Sequence, residues 1–227
     1  MYLNNPREEQ FPWLQSYVTS DFIEPAQARM IQTHSNRVVI VTDKNQIIGE
    51  ADGMVTSLKN IELHVRVADC GNIYAYDPWA TVIGVCHSGW KGSQGNIIAT
   101  MIKSMKILGS YPEDIRIRTG PCISWKNYEF WPEVKDLFEW EYYTTDRSLR
   151  GTKQSTNRLP RSVALRSQWQ KYYLNLPKLH HDQLIASWVQ DTHIIQSDIC
   201  TFDTNNLPSY RRNGPDAGRI TGSIMMR

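Results

Sequence analysis

Paired cysteines are missing from this sequence. Its four cysteines stand at positions 70, 86, 122 and 200, and no two of them form a Cys-x-x-Cys. Such wide, irregular spacing excludes a four-ligand zinc knuckle and suits reduced thiols better than a disulfide framework. An excess of one charge is missing too: 25 Lys and Arg stand against 23 Asp and Glu, for a net charge of +2. No basic cluster exceeds a few residues, so the electrostatic footprint of a nucleic-acid binder is absent. No apolar run approaches the ~18 residues of a membrane span. The first residues lack the basic-then-apolar pattern of a secretory signal. A cytosolic protein with no membrane partner is expected. No repeat and no shift of composition marks a boundary. The 227 residues are therefore expected to form a single domain, 1–227, with 1–30 as a variable N-terminal lid carrying Trp13, Leu14 and Phe22.

What is present reads as strands and helices in mixed order. Val38 to Val41 is a β-branched run. Ile48 to Gly53 reads as a turn ahead of a short strand at Met54 to Thr56. Ile61 to Val67 alternates, with Ile61, Leu63, Val65 and Val67 inward and Glu62, His64 and Arg66 outward. Strands are expected at Asn72 to Tyr76 and Thr81 to Cys86, joined by the turn pair Asp77-Pro78. A helix from about Asn96 carries Ile97, Met101, Met105 and Leu108 on one stripe and ends at Gly109. Asp114 to Arg118 reads as a strand and Pro132 as the first residue of a helix. Residues 141–160 read as a loop, Ser162 to Tyr173 and Lys178 to Trp188 as helices, and Thr192 to Gln196 as a strand. Without strict alternation of strand and helix the class is α+β, with mixed β-sheets covered by helices.

The stretch that organises the chain is Val82-Ile-Gly-Val-Cys-His87-Ser-Gly-Trp-Lys-Gly92-Ser-Gln-Gly95. A short apolar strand breaks at a histidine into a glycine-rich loop, Ser88 to Gly95, which then opens a helix. Backbone N–H groups there can meet an anion, although the loop matches neither dinucleotide nor P-loop patterns. A second junction of this kind is Val65-Arg-Val-Ala-Asp69-Cys70, and a third is Gln32-Thr-His34-Ser35. His34, Cys70 and His87 are thus three metal-capable groups at strand boundaries, where folds commonly present reactive side chains. The bland reading keeps Cys70 as a small buried hydrophobe and the histidines as satisfied polar residues. Cys86 fits that reading, in phase with Val82 and Gly84 on a buried strand.

Six motifs occur in order: Gln32-Thr-His34, Glu50-Ala-Asp52-Gly, Ala68-Asp69-Cys70, His87-Ser-Gly-Trp-Lys-Gly92, Gly120-Pro-Cys-Ile123 with Tyr128-Glu129, and Cys200-Thr201 with Ser209-Tyr-Arg-Arg212 and Gly218-Arg219. From about residue 30 onward the chain resembles the laccase-domain family, the multicopper polyphenol oxidoreductase-like proteins that include purine nucleoside phosphorylases. The resemblance implies zinc on His34, Cys70 and His87. It also implies phosphorolysis of adenosine, inosine and methylthioadenosine, with adenosine deamination beside it. One thiolate and two imidazoles leave a tetrahedral zinc one open position, the mark of a catalytic site. Cys70, His87, Asp52 and Asp69 are the candidate catalytic residues, the two carboxylates for acid/base work. Arg211, Arg212 and Arg219 are candidates for binding phosphate. The implied partners are a small purine nucleoside and phosphate.

Departures from the family pattern are local. Ser88 and Lys91 replace the usual Ala and Arg, and Gly71-Asn72 stands where a proline is usual. The region before His34 is short. Two other readings stay open at this point. One is a metal-free cysteine hydrolase with Cys70 as nucleophile and His87 as base. The other is a copper-dependent polyphenol oxidase, although a multicopper centre consumes more imidazoles than six histidines supply.

Overall fold

Residues 14–19, 29–145 and 171–227 are described in the computed structural model. The chain begins with β1 (Leu14–Thr19), β2 (Arg29–Ile31), β3 (Val38–Ile40), β4 (Ile47–Glu50), β5 (Gly53–Thr56), β6 (Glu62–Val67), β7 (Gly71–Asp77) and β8 (Val82–Ser88). Helices α1 (Trp90–Gln94) and α2 (Ile97–Ile107) follow, then β9 (Arg116–Thr119), β10 (Glu129–Phe130) and α3 (Pro132–Lys135). Beyond these lie β11 (Tyr143–Thr145), β12 (Tyr172–Leu174), α4 (Leu176–Ala186), β13 (Ile194–Ile195), α5 (Tyr210–Asn213) and β14 (Ile220–Met226).

The central sheet has the order β13-β9-β7-β8-β5-β3 and is mixed. Its inner pairs are antiparallel, while β3 runs parallel to β5 and β13 to β9. Side-chain alternation sends its residues to two different partners. Ile73, Ala75 and Cys86 face α2, which buries Ile97, Ile98, Met101 and Met105 against them. Tyr74, Ile83 and Val85 face a second sheet, β1-β14-β6, and meet Leu63, Val65 and Ile224. Fully burying each large apolar side chain contributes roughly 1.5–3 kcal/mol. The fold is therefore α+β with mixed sheets, as read from the sequence. One face of the central sheet is covered by a helix and the other by a sheet. Smaller sheets β10-β12-β11 and β2-β4 flank this core. Among the described residues no helix is long and apolar enough to cross a membrane.

Several local readings change. Ile47–Glu50 is strand β4, parallel to β2, rather than a turn, because Ile48 is drawn into the core and Gly49 takes φ 71°. The loop expected at Ser88 to Gly95 is largely helical: Ser88 ends β8, and Trp90 to Gln94 form α1. The helix opened by Pro132 stops at Lys135. Tyr172 and Tyr173, read as helical, lie in β12 between β10 and β11, and the rest of that expected helix falls outside the described residues. Of the expected loop at 141–160, residues 143–145 form β11 and 146–160 fall outside. Leu14–Thr19 pairs along β14, and the remainder of the expected lid before residue 29 is likewise outside.

Candidate active site

Strand register assembles the site. In the antiparallel pair β7–β8, Gly71 lies opposite Ser88 and Asn72 opposite His87, so Cys70 at the mouth of β7 meets His87 near the end of β8. Gly53 pairs with Cys86, which brings Asp52 beside His87, whose N–H donates to the Asp52 carbonyl at 2.7 Å. His34 arrives from the connection between β2 and β3. Ligand atoms of His34, Cys70 and His87 all lie within 4.8 Å of one another, and the two imidazoles meet edge to face with centroids 4.7 Å apart. His34 and Asp69 both adopt left-handed backbone, φ 60° and 81°, a conformation that clusters at functional sites.

Asp52 is the hub. Fully buried, it accepts hydrogen bonds from the N–H groups of Thr33, His34 and Ser35 and from the Ser35 hydroxyl, at 2.6 to 3.1 Å. It also holds Nδ1 of His87 at 2.8 Å. Burial pushes this carboxyl up, but the bonds from His87 and Ser35 outweigh it and hold the group at about 2. At Cys70, burial is likewise outweighed, by bonds from His34 and His87, and the thiol falls from 9.0 to about 7. Burial lowers His87, yet its bonds to Asp52 and Cys70 raise it to about 9. In this arrangement the thiolate and the imidazolium stabilise each other.

The donor set fits a zinc-type ion. With Nδ1 of His87 fixed by a carboxylate, Nε2 is the nitrogen left to ligate, an arrangement common at metal-binding histidines. Gly89 keeps the space beside the donors open, since a Cβ there would lie 2.7 Å from Cys70 Sγ and 3.6 Å from His34 Cδ2. These three residues can hold a metal ion through one thiolate and two imidazoles, which suits zinc and also copper.

Above the cluster opens a cavity of about 920 Å³, large enough for a nucleoside. Asp69 lines it and ties the tail to the site, accepting from the Thr201 hydroxyl and the Arg211 N–H, each at 2.6 Å. Tyr128, Phe130 and Trp131 form an aromatic wall, and the Arg211 guanidinium stacks 5.6 Å over the Tyr128 ring while donating to the Glu129 carbonyl. Arg219 lines the cavity with its guanidinium anchored on the carbonyls of Ala217 and Gly218.

Two of the residues singled out in the sequence stand elsewhere. Asp52 is not on the cavity wall, and every bond it makes orients protein groups. Arg212 is turned away, its guanidinium donating to the carbonyls of Thr201, Phe202, Thr204 and Leu207, where it clamps the tail rather than facing a ligand. Other residues escaped the sequence reading. Arg66, read as outward, lines the cavity, because the outer face of β6 meets the cavity at the end of the strand. His180, unremarkable in sequence, is buried on α4, with Nε2 3.0 Å from the Ser93 hydroxyl, which in turn lies 2.9 Å from Ser88 Oγ. Burial pushes its imidazole down to about 3, so it stays neutral and braces α1 and the end of β8.

Comparison with known proteins follows the same outline. The chain is 30% identical over 225 residues to the purine nucleoside phosphorylase YlmD of Bacillus subtilis (strain 168), a match that spans 94% of this chain and 72% of that one. It is 27% identical over 203 residues to the adenosine deaminase RL5 of an unknown prokaryotic organism, spanning 85% of this chain and 72% of that one. The crystal structure of the Bacillus licheniformis hypothetical protein YfiH superposes with a TM-score of 0.73 at 26% identity, over 86% of this chain and 72% of that one. A family profile, described as multi-copper polyphenol oxidoreductase laccase, matches residues 16–227. With nearly the whole chain matched in sequence and a solved relative matched in fold, the protein belongs to the multi-copper polyphenol oxidoreductase laccase family.

Proposed function

We propose that the protein is a purine nucleoside enzyme that cleaves adenosine, inosine or methylthioadenosine with phosphate and deaminates adenosine as a side activity. The observation that carries this reading is the His34/Cys70/His87 cluster at the base of a nucleoside-sized cavity walled by aromatic rings and arginines. Relatives named for phosphorolysis and for adenosine deamination support the same substrate class. His34, Cys70 and His87 would hold zinc, which when bound supplies Lewis-acid polarisation of a substrate atom or activation of water. The protein does the rest by positioning. Asp52 keeps His87 and the His34 loop in register. The aromatic wall receives the base, and the cavity arginines receive phosphate. In phosphorolysis a phosphate oxygen bonds to C1′ as the C1′–N9 bond breaks, and the purine departs after gaining a proton. Asp69, the carboxylate on the cavity wall beside Cys70, is the acid/base residue of this proposal.

The lowered thiol of Cys70 beside His87 also favours a second reading, a metal-free cysteine hydrolase. One assay separates the two: adenosine incubated with and without phosphate, before and after chelation, with the products resolved by chromatography. Adenine and ribose 1-phosphate that appear only with phosphate, and vanish on chelation, are expected. Turnover that ignores phosphate, survives chelation and stops on thiol alkylation would transfer the assignment to the hydrolase.

A further inference from the structure

The cavity arginines differ in what their guanidinium groups already do. Arg211 donates to the carbonyls of Asn127 and Glu129, and Arg219 to those of Ala217 and Gly218. Arg66 has no acceptor for its guanidinium among the described residues. Its main chain, by contrast, is fixed on both sides by one neighbour: Gln32 Nε2 donates to the Arg66 carbonyl at 2.9 Å, and the Arg66 N–H donates to Gln32 Oε1 at 2.8 Å. The strand end is therefore fixed, while among the described residues the fork at the tip of the side chain is unengaged.

The surroundings favour an anion at that fork. Arg66 pairs in register with Thr221, and Val67 with Ile220, so Arg219 leaves β14 at the same end of the sheet and adds a second positive charge. Two carboxylates lie on the cavity wall. Asp69 is held by Thr201 and the Arg211 main chain, and Glu129 is paired with Lys171 at 3.0 Å. Neither bonds to Arg66, and each has partners of its own. The aromatic wall of Tyr128, Phe130 and Trp131 belongs to a different part of the chain, so base and anion have separate surfaces.

We propose that Arg66, assisted by Arg219, is the phosphate-holding residue of this cavity, gripping a phosphate dianion through two parallel N–H donors. The dianion is free phosphate or the same group carried at the 5′ end of a nucleoside. The assignment of phosphate as co-substrate rests on the functional reading above, whereas the anion site itself does not. A planar guanidinium suits the task because its fork matches two phosphate oxygens, which an ammonium cannot do.

The test is calorimetric titration of the zinc-loaded protein with inorganic phosphate and, separately, with adenosine 5′-monophosphate, for the parent, Arg66→Gln and Arg66→Lys. Thermal melting checks that each variant folds, and steady-state kinetics run in parallel. Arg66→Gln is expected to weaken phosphate binding and raise the phosphate KM at least roughly tenfold, leaving the adenosine KM unchanged, with Arg66→Lys between the two. Loss confined to the monophosphate titration would assign the site to a nucleotide's own phosphate. Unchanged binding of both ligands would overturn the proposal, even with phosphorolysis intact. Lost phosphate binding in a protein without phosphorolysis would uphold the anion site and remove the functional reading instead.

Discussion

The Asp52 carboxylate makes five hydrogen bonds, four to residues 33–35 and one to the His87 ring, so two of the three cluster residues depend on it. An ionised carboxylate is acceptor-only, and each of its lone pairs here faces a donor. Asp52→Asn keeps the shape but turns an amide N–H₂ toward groups that also donate. Breaking a buried, hydrogen-bonded pair in this way costs roughly 3–5 kcal/mol. We expect denaturant unfolding to register a loss in that range, together with weaker zinc retention, although Asp52 touches neither solvent nor the cavity. A variant as stable as its parent would mean that the His34 loop is held by other contacts. Asp69 is the complementary case: it sits on the cavity wall, and its bonds reach the distant Thr201 and Arg211.

Strand β8 separates structural from functional side chains within two residues. Cys86 is fully buried against α2, and burial drives its thiol far above the ordinary range, whereas His87 faces the cluster. Cys86→Ala is expected to cost about 1 kcal/mol in stability and to leave turnover intact. Cys70→Ala, at the mouth of β7, is expected to abolish turnover and weaken metal retention. Both follow from urea melts and zinc analysis, and the reverse pattern would relocate the site. This contrast was legible in the sequence, since alternation assigns Cys86 to a strand interior and a motif marks Cys70. Elements with a local period were equally legible: Ile61 to Val67 buries the four residues expected, and the α2 stripe is dry at Ile97, Met101 and Met105. What escaped lacks such a period. β14 is buried along nearly its whole length, so Ile220-Thr-Gly-Ser-Ile-Met-Met carries no alternation. α1 contains Gly92 and is flanked by Gly89 and Gly95, a composition that imitates a loop. Arg66 escaped because alternation tells which face a side chain takes, and not what lies opposite that face.

The donors of the cluster come from three segments separated in sequence: the β2–β3 connection, the start of β7 and the end of β8. An ion bound there ties these segments together in the folded chain and has no equivalent site in the unfolded one, so binding adds to stability by mass action. Protein purified without chelator is expected to carry about one zinc per chain and no stoichiometric copper, and to melt at lower temperature once stripped. Less than a tenth of an equivalent of zinc by elemental analysis would remove zinc from the account. The register of β14 bears on how the molecule is made. This strand is central in its sheet, pairing Met226 with Leu14 on one side and Ile220 with Val67 on the other. Until residues 220–226 are in place, β6 lacks β14 beside it, and Leu63 and Val65 lack the contact with Ile224. Completion of the cavity rim therefore waits on some of the most distant pairings in the chain and is correspondingly slow.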